Sequence, residues 1–490
     1  MKIIKGKMTK GMTAVACCLF FGAAASSALA GGPDLGLSKE FPYYPSLLTW
    51  EKSGAGFTPP ETCAECHPDQ YQEWTGSMHA LAFKDPIYQG ELNKAVKAVG
   101  HDIARQCEGC HTAAAMMSGE IKGPGLKGLS NLALGGVSCD ICHSVKSHRG
   151  WETPYHQPEN GSLVLSPGRD GAEGPVLTKY APYKGSETCG DGFHECVESP
   201  LHRQAEICGS CHQVHHYDSH FPIESTYLEW KNGPYALNDI ACQDCHMVET
   251  GTFLRVADQM QKPKREEYRH YFNGANFLVY YLVEQAAKKA GDQELADNMR
   301  NKFNMAVARL KAAAEVEVSP VYRDNRLAEI KVRVKNIRAG HNLPTSLTNV
   351  RQIWLEVTAR DQTGKVLMTS GEVGKDGALP PDARLFNSEG LNRGLHFAID
   401  PWEVVAFSRH ETIPPKGYRD VYYGLTAPEG GEVRVEVKLR YRQADQKVAE
   451  ILLAAVPEDI NLEETYGLKE VPTLPVVDMV ERTVTLKAAR

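Results

Sequence analysis

Five copies of one pentapeptide pattern constrain this chain more than any other feature. They are Cys63-Ala-Glu-Cys66-His67, Cys107-Glu-Gly-Cys110-His111, Cys139-Asp-Ile-Cys142-His143, Cys208-Gly-Ser-Cys211-His212 and Cys242-Gln-Asp-Cys245-His246. C-x-x-C-H is the attachment motif of c-type haem. The spacing has a chemical reason. Two thiols three residues apart reach the two vinyl groups of one porphyrin and form thioethers, and the His that follows is held under the iron as its proximal ligand. A redox dithiol or half a zinc site also uses C-x-x-C. Zinc sites, however, pair two such motifs and rarely place His after each, so five haem c groups are the expectation. All five motifs fall within 61–265, about 40 residues per haem, too little chain for five separate domains. The haems are therefore expected to share one core and to lie near one another.

The amino terminus points to the compartment. Lys2, Lys5, Lys7 and Lys10 form a basic region, Met12 to Ala25 is apolar, and Ala28-Leu29-Ala30 is an A-x-A site. This is the pattern of a secretory signal peptide cut after Ala30. The alternative, a membrane anchor, asks for about 20 apolar residues, more than this run supplies. A periplasmic or extracellular protein with no membrane span after cleavage is the expectation. Such a compartment permits disulfides. Once Cys17 and Cys18 are removed, Cys189 and Cys196 are the two cysteines outside the motifs. They are read as a local disulfide, with two buried thiols as the alternative. Lys plus Arg is 54 and Asp plus Glu is 61, a net charge of -7. A mildly acidic chain lacks the basic surface that non-specific nucleic-acid binding needs.

The chain has 18 His, and thirteen lie outside the motifs. The supply is enough to give every iron a second His, although Met78, Met116, Met117 and Met247 are further sixth-ligand candidates. Some contexts repeat. His101 and His202 each stand six residues before the first Cys of a motif. Tyr71-Gln-Glu-Trp74 echoes Tyr227-Leu-Glu-Trp230, and five residues after each Trp stand His79 and Tyr235. The repeats read as a duplicated two-haem module, with motifs one and two in the first copy, four and five in the second, and motif three between. His79 is then an axial ligand whose counterpart is Tyr235, a replacement that could leave one iron open.

Residues 61–83, ETCAECHPDQYQEWTGSMHALAF, resemble the opening of the multihaem cytochrome c-552/c-554 family. GVSCDICH (136–143), ICGSCHQV (207–214) and ACQDCHM (241–247) are also family-like. RHYFNGANF (269–277) and RAGHNLPT (338–345) resemble larger members with a β-rich carboxyl-terminal region. The resemblance implies closely packed, mostly bis-His haems that pass electrons between redox protein donors and acceptors. It also implies His79, His194 or His202, His270 and His341 as the distal candidates. Five motifs depart from the four-haem pattern of cytochrome c-554.

The expected fold is multidomain α+β. After the signal peptide (1–30) come an extended Gly/Pro-rich arm (31–60) and a pentahaem cytochrome c domain of loops and short helices (61–265). A helical segment (266–314) reads as a structural brace, and 315–490 as a β-sandwich. Long loops are expected from Gly123 to Gly136 and from Gln157 to Gly185. Leu327, Ile330, Val332 and Val334 approximate strand alternation, as do Val433, Val435, Val437 and Leu439, and Asp361-Gln-Thr-Gly364 reads as a hairpin turn. Immunoglobulin-like topology is the expectation. His341 is the one residue of this region linked to a haem. Electron transfer in an exported respiratory chain is the favoured function, with no catalytic residues assigned. One alternative is an oxidoreductase with an open haem acting on a small nitrogen or sulfur compound, although no C-x-x-C-K motif is present. The other is a homo-oligomer stacked into an extracellular filament.

Overall fold

The helical turn that carries a C-x-x-C-H motif is also the unit from which the amino-terminal half is built. A computed structural model of the chain describes residues 46–489. The signal-peptide reading and the first part of the arm, 1–45, lie outside the described residues. Short helices dominate 60–259, and several begin on a proline: Pro60–Ala64, Pro68–Trp74, Pro86–Val99 and Pro234–Leu237. Proline suits the first helical position, because its missing N–H would have had no partner there. Asp85 caps Pro86–Val99 by accepting the N–H of Ile87 at 2.8 Å. Gly100, at φ +84°, ends that helix and starts His101–His111.

The stretch 157–185, expected as a loop, is largely strand: Leu163–Leu165, Gly168–Gly171 and Gly174–Ala181. Leu163–Leu165 is too short to show an alternation, Gly168–Gly171 is polar, and Gly174–Ala181 mixes polar and apolar residues without a regular period. They are fixed instead by long-range pairing. Thr49–Trp50 pairs in parallel with Leu163–Leu165, and Gly174–Ala181 pairs in parallel with His194–Glu198. A disulfide joins Cys189 to Cys196, with Cα atoms 6.1 Å apart. The stretch 123–136 is loop except for the helical turn Asn131–Leu134.

Two helices, α1 (Leu278–Ala290) and α2 (Gln293–Ala313), follow. Gly291 at φ +77° stops α1, and the Asp292 carboxylate starts α2 by accepting the N–H of Leu295 at 3.0 Å. Helix α2 runs directly into a sandwich that has, besides the two-residue strand Arg384–Leu385 paired to Gln352–Asp361, seven main strands. These are β1 (Ala314–Arg323), β2 (Arg326–Asn336), β3 (Gln352–Asp361), β4 (Val366–Ser370), β5 (Tyr418–Gly424), β6 (Glu432–Arg442) and β7 (Val477–Lys487). One sheet has the order β5-β2-β1 and the other β4-β3-β6-β7, the strand order of an immunoglobulin-like sandwich. Val316, Val332 and Val334 of the first sheet share one core with Leu355, Val357, Val435 and Val437 of the second. The inward positions Leu327 and Ile330 are three apart rather than two. A register shift between Leu327 and Glu329 absorbs the extra residue, as a β-bulge does.

The described residues fall in one compact unit, Leu37–Arg490. Segments between the strands dock onto the motif-bearing half. Helix Gln446–Ala454 lies so close to Pro86–Val99 that a Cβ on Gly90 would stand 1.9 Å from the Leu452 carbonyl oxygen, so only glycine fits there. No helix among the described residues is long and apolar enough to cross a membrane.

Candidate haem sites

Each motif closes one turn of helix. The N–H of His67 bonds the Cys63 carbonyl at 2.9 Å, and that of His212 bonds Cys208 at 2.9 Å. Motifs two, three and five lie inside helices. Residues three and four apart share a helix face, so both thiols and the imidazole of a motif point the same way. All ten motif cysteines are free thiols, in contrast to the bonded Cys189 and Cys196. Thiols of different motifs lie side by side: Cys63 with Cys139, Cys110 with Cys211, and Cys208 with Cys242. The motifs are therefore packed together, first against third, second against fourth, fourth against fifth.

Four motif imidazoles are oriented through Nδ1. His111 reaches the Ala82 carbonyl at 2.8 Å, His143 that of Tyr180 at 2.7 Å, and His246 that of Asn273 at 2.7 Å. A carbonyl can only accept, so Nδ1 carries the proton and Nε2 keeps its lone pair for a metal. His212 turns its Nδ1 to a Glu224 carboxylate oxygen at 3.3 Å.

Second imidazoles face three of these rings. His79 lies 6.3 Å from His212 between ring centres, nearly parallel at 25°. His341 lies 6.2 Å from His246 at 18°. His143 has two neighbours, His202 at 6.0 Å and 20° and His270 at 6.4 Å and 34°. A metal–imidazole bond is about 2 Å and the ring centre lies about 1 Å beyond, so two axial imidazoles on one iron stand about 6 Å apart. The spacing fits iron and is too wide for the rings to stack on each other. Nδ1 of His79 and His202 is buried without a hydrogen-bond partner, that of His270 has only the Glu73 carboxylate at 3.6 Å, and the side chain of His212 keeps 52% of its surface accessible inside this crowded region. Rings that line space rather than fill it suit a planar group between them. The residues present therefore fit haem c.

The electrostatics suit metal ligation. Desolvation pushes His79 and His143 down to about 3. It does the same to His246, where the nearby Arg309 charge adds to it. Their neutral form, the one that ligates a metal, is thus favoured. His212 moves the other way: desolvation would lower it, but the hydrogen bond and charge of Glu224 raise it to about 9.

Other sequence candidates fall elsewhere. His194 sits beside the disulfide, its Nδ1 3.6 Å from Cys196 Sγ, and faces no motif imidazole. His101 bonds Glu108 at 2.8 Å, unlike its sequence echo His202. Tyr235, the counterpart of His79, is 1% exposed, and its hydroxyl donates to the Arg338 carbonyl at 3.2 Å. Among the described residues, no second imidazole stands at about 6 Å from His67 or His111. The carbonyls of Ala82, Tyr180 and Asn273 had no sequence signal, since any residue supplies one. Nor did Arg309, a 7%-exposed side chain of α2 that donates to the Cys245 carbonyl and, at 2.6 Å, to that of Val248.

Residues 62–144 match the family described as cytochrome c554 and c-prime. The fold is shared with a solved structure, a penta-heme cytochrome c552 from Thermochromatium tepidum. Identity to it is 20%, the match covers 87% of this chain and 99% of that one, and the TM-score is 0.53. No curated protein matches the chain. The family match and the shared fold support a multihaem c-type cytochrome of the c-552/c-554 kind.

Proposed function

We propose that this chain is an exported electron-transfer protein of a respiratory chain, carrying five haem c groups. The observation that carries this reading is the set of imidazole pairs about 6 Å apart, set among motifs whose thiols touch. The ten motif cysteines would hold the groups, and His67, His111, His143, His212 and His246 would be their proximal ligands. His79 would close the fourth site, His202 the third and His341 the fifth. When bound, haem c supplies a one-electron iron couple. The residues do the rest. Ala82, Tyr180, Asn273 and Glu224 fix ring orientation. The paired imidazoles would leave such a site closed to other ligands, which favours transfer over substrate binding. Touching motifs keep successive sites close, and tunnelling needs that closeness. The basic and apolar segments of 1–30 support export, and redox proteins are the expected partners.

The test is the holoprotein's spectrum. Low-spin signals from the third, fourth and fifth sites, and a haem content of five per chain, are expected. A colourless polypeptide from cells competent in haem attachment overturns the reading.

A second reading keeps one site open. His67 and His111 lack a facing imidazole among the described residues, which favours a haem accessible to a small ligand there. Carbon monoxide shifting one reduced haem supports it, and a reduced spectrum unchanged by carbon monoxide removes it.

A further inference from the structure

The two Tyr-x-Glu-Trp turns are alike in three dimensions. Tyr71 and Trp74 have ring centres 5.8 Å apart at 43°, and Tyr227 and Trp230 5.6 Å apart at 40°. Each indole donates to a backbone carbonyl downstream, Val137 at 3.0 Å and Ile240 at 2.7 Å. The residue between them, Glu73 or Glu229, has a partner of the same kind in both copies. Glu73 accepts the N–H of His270 at 2.8 Å, and Arg269 Nε lies 3.3 Å from its other oxygen. Glu229 accepts the N–H of Asn342 at 3.1 Å and the Thr345 hydroxyl at 2.5 Å. The partners are 197 and 113 residues away in sequence. Both partner segments carry an imidazole that faces a motif His: His270 beside His143 and His341 beside His246.

We propose that Glu73 and Glu229 are equivalent positioning residues, each clasping a remote histidine-bearing segment onto the motif core. The inference rests on the reading of His341 as a haem ligand. The clasp has a physical reason. An imidazole on a loop must be held against the entropy of that loop, and a carboxylate bonding main-chain N–H anchors the backbone; in the first copy the same oxygen also lies 3.6 Å from His270 Nδ1. The connection is specific at the second copy. The Asn342 N–H points to Glu229, and the Asn342 carbonyl receives His341 Nδ1 at 3.0 Å, so one residue links carboxylate and imidazole. The loop has other anchors, Asn336 Nδ2 on the His341 carbonyl at 2.8 Å and Asn342 Nδ2 on Thr412 at 2.9 Å. Loss of the clasp therefore loosens the loop without releasing it.

The test uses the haem-loaded full chain and its carbon monoxide-reactive fraction after reduction. Glu229→Ala, which removes the hydrogen bonds of both Asn342 and Thr345, is expected to raise that fraction about tenfold. Glu229→Gln keeps an accepting oxygen and stays near the wild type. In a His341→Ala background Glu229→Ala adds nothing, because the clasp acts only through that imidazole. Where Glu229→Ala gives no haem-loaded protein, Thr345→Val removes the other donor and produces a smaller rise. A wild-type fraction in Glu229→Ala overturns the clasp, and so does an effect that adds to that of His341→Ala. If His341→Ala itself leaves the spectrum unchanged, the ligand assignment fails first and takes the clasp with it.

Discussion

The two copies of the Tyr-x-Glu-Trp turn agree in backbone, ring geometry and the use of glutamate, yet differ five residues after the Trp. In the first copy, the helix Met78–Leu81 carries His79, which faces His212 of the second copy. In the second, the matching helix Pro234–Leu237 carries Tyr235, which bonds the Arg338 carbonyl, and His246 is faced instead by His341 from the loop after β2. The difference teaches where a partner imidazole comes from. A local turn is repeated because its hydrogen bonds are local. The facing imidazole comes from whichever segment packing brings close, so duplication does not fix it.

The largest effect separates the copies at their thiols. Replacing Cys242 and Cys245 by Ala is expected to remove one haem from the second copy and leave the others, read by intact mass and haem content. A chain that keeps its full haem load breaks the comparison at its root. Next comes the residue in which the copies differ. His79→Ala opens the site of His212 and converts one low-spin ferric signal to high spin. Tyr235→Phe loses one buried hydrogen bond of about 1 kcal/mol and leaves every spin state unchanged. Equal spectra for the two variants erase the distinction between the copies.

The motifs, and hence both copies, were legible because C-x-x-C-H encodes its chemistry within one turn. The His79 and Tyr235 correspondence was legible for the same reason. The sandwich strands β2, β3 and β6 showed through their alternation, because one face of each packs on a shared core. The strands of 163–181 did not, since they are too short or too mixed in composition to show a period and are specified by partners far along the chain. That His202 and not His101 faces a motif imidazole was equally hidden. Both precede a motif by the same distance, yet His101 bonds the buried Glu108 while His202 bonds the Cys142 carbonyl through Nε2 and faces His143. The helical segment read as a plain brace carries Lys302 and Arg309, seven residues apart on one face of α2, and each donates to a motif-bearing segment.

Arg309 sharpens the contrast further, because it lies beside the fifth motif and lowers the pKa of His246 after burial has done so. A fixed cation favours the less positive, reduced state of a nearby iron. Arg309→Gln is expected to lower the reduction potential of the fifth site by roughly 59 mV, a tenfold loss of electron affinity for a one-electron couple. Arg309→Lys restores most of it. Lys302→Gln, which removes a buried cation of the same helix from the Glu73 carbonyl, leaves the fifth couple where it was. Potentiometric titration followed by low-temperature electron paramagnetic resonance reads each site, and equal shifts in the Gln variants reduce α2 to the brace it first resembled.

The last effect is one of acidity, and it again divides the copies. Glu73 has Arg269 beside it, whereas Glu229 forms no ion pair among the described residues. Glu229 lines a cavity of about 330 Å³ with Asn342, Pro414 and Pro415. Burial pushes its carboxyl up to about 7; the Thr345 hydroxyl and the Asn342 N–H pull it down, and the charge of Glu224 pushes it up again. In the unfolded chain the group titrates at about 4.3. The folded state therefore binds its proton more tightly, and the stability this adds is fully present below about pH 4 and lost as pH rises through about 7. A shift of this size, discounted for a side chain that water reaches from the cavity, corresponds to about 2 kcal/mol. Glu229→Gln holds the neutral form at every pH, so the melting temperature of the holoprotein should fall less between pH 4 and 8 than it does in the wild type. Identical slopes would place the Glu229 carboxyl at its ordinary value, and the second clasp would then be as insensitive to pH as any exposed glutamate.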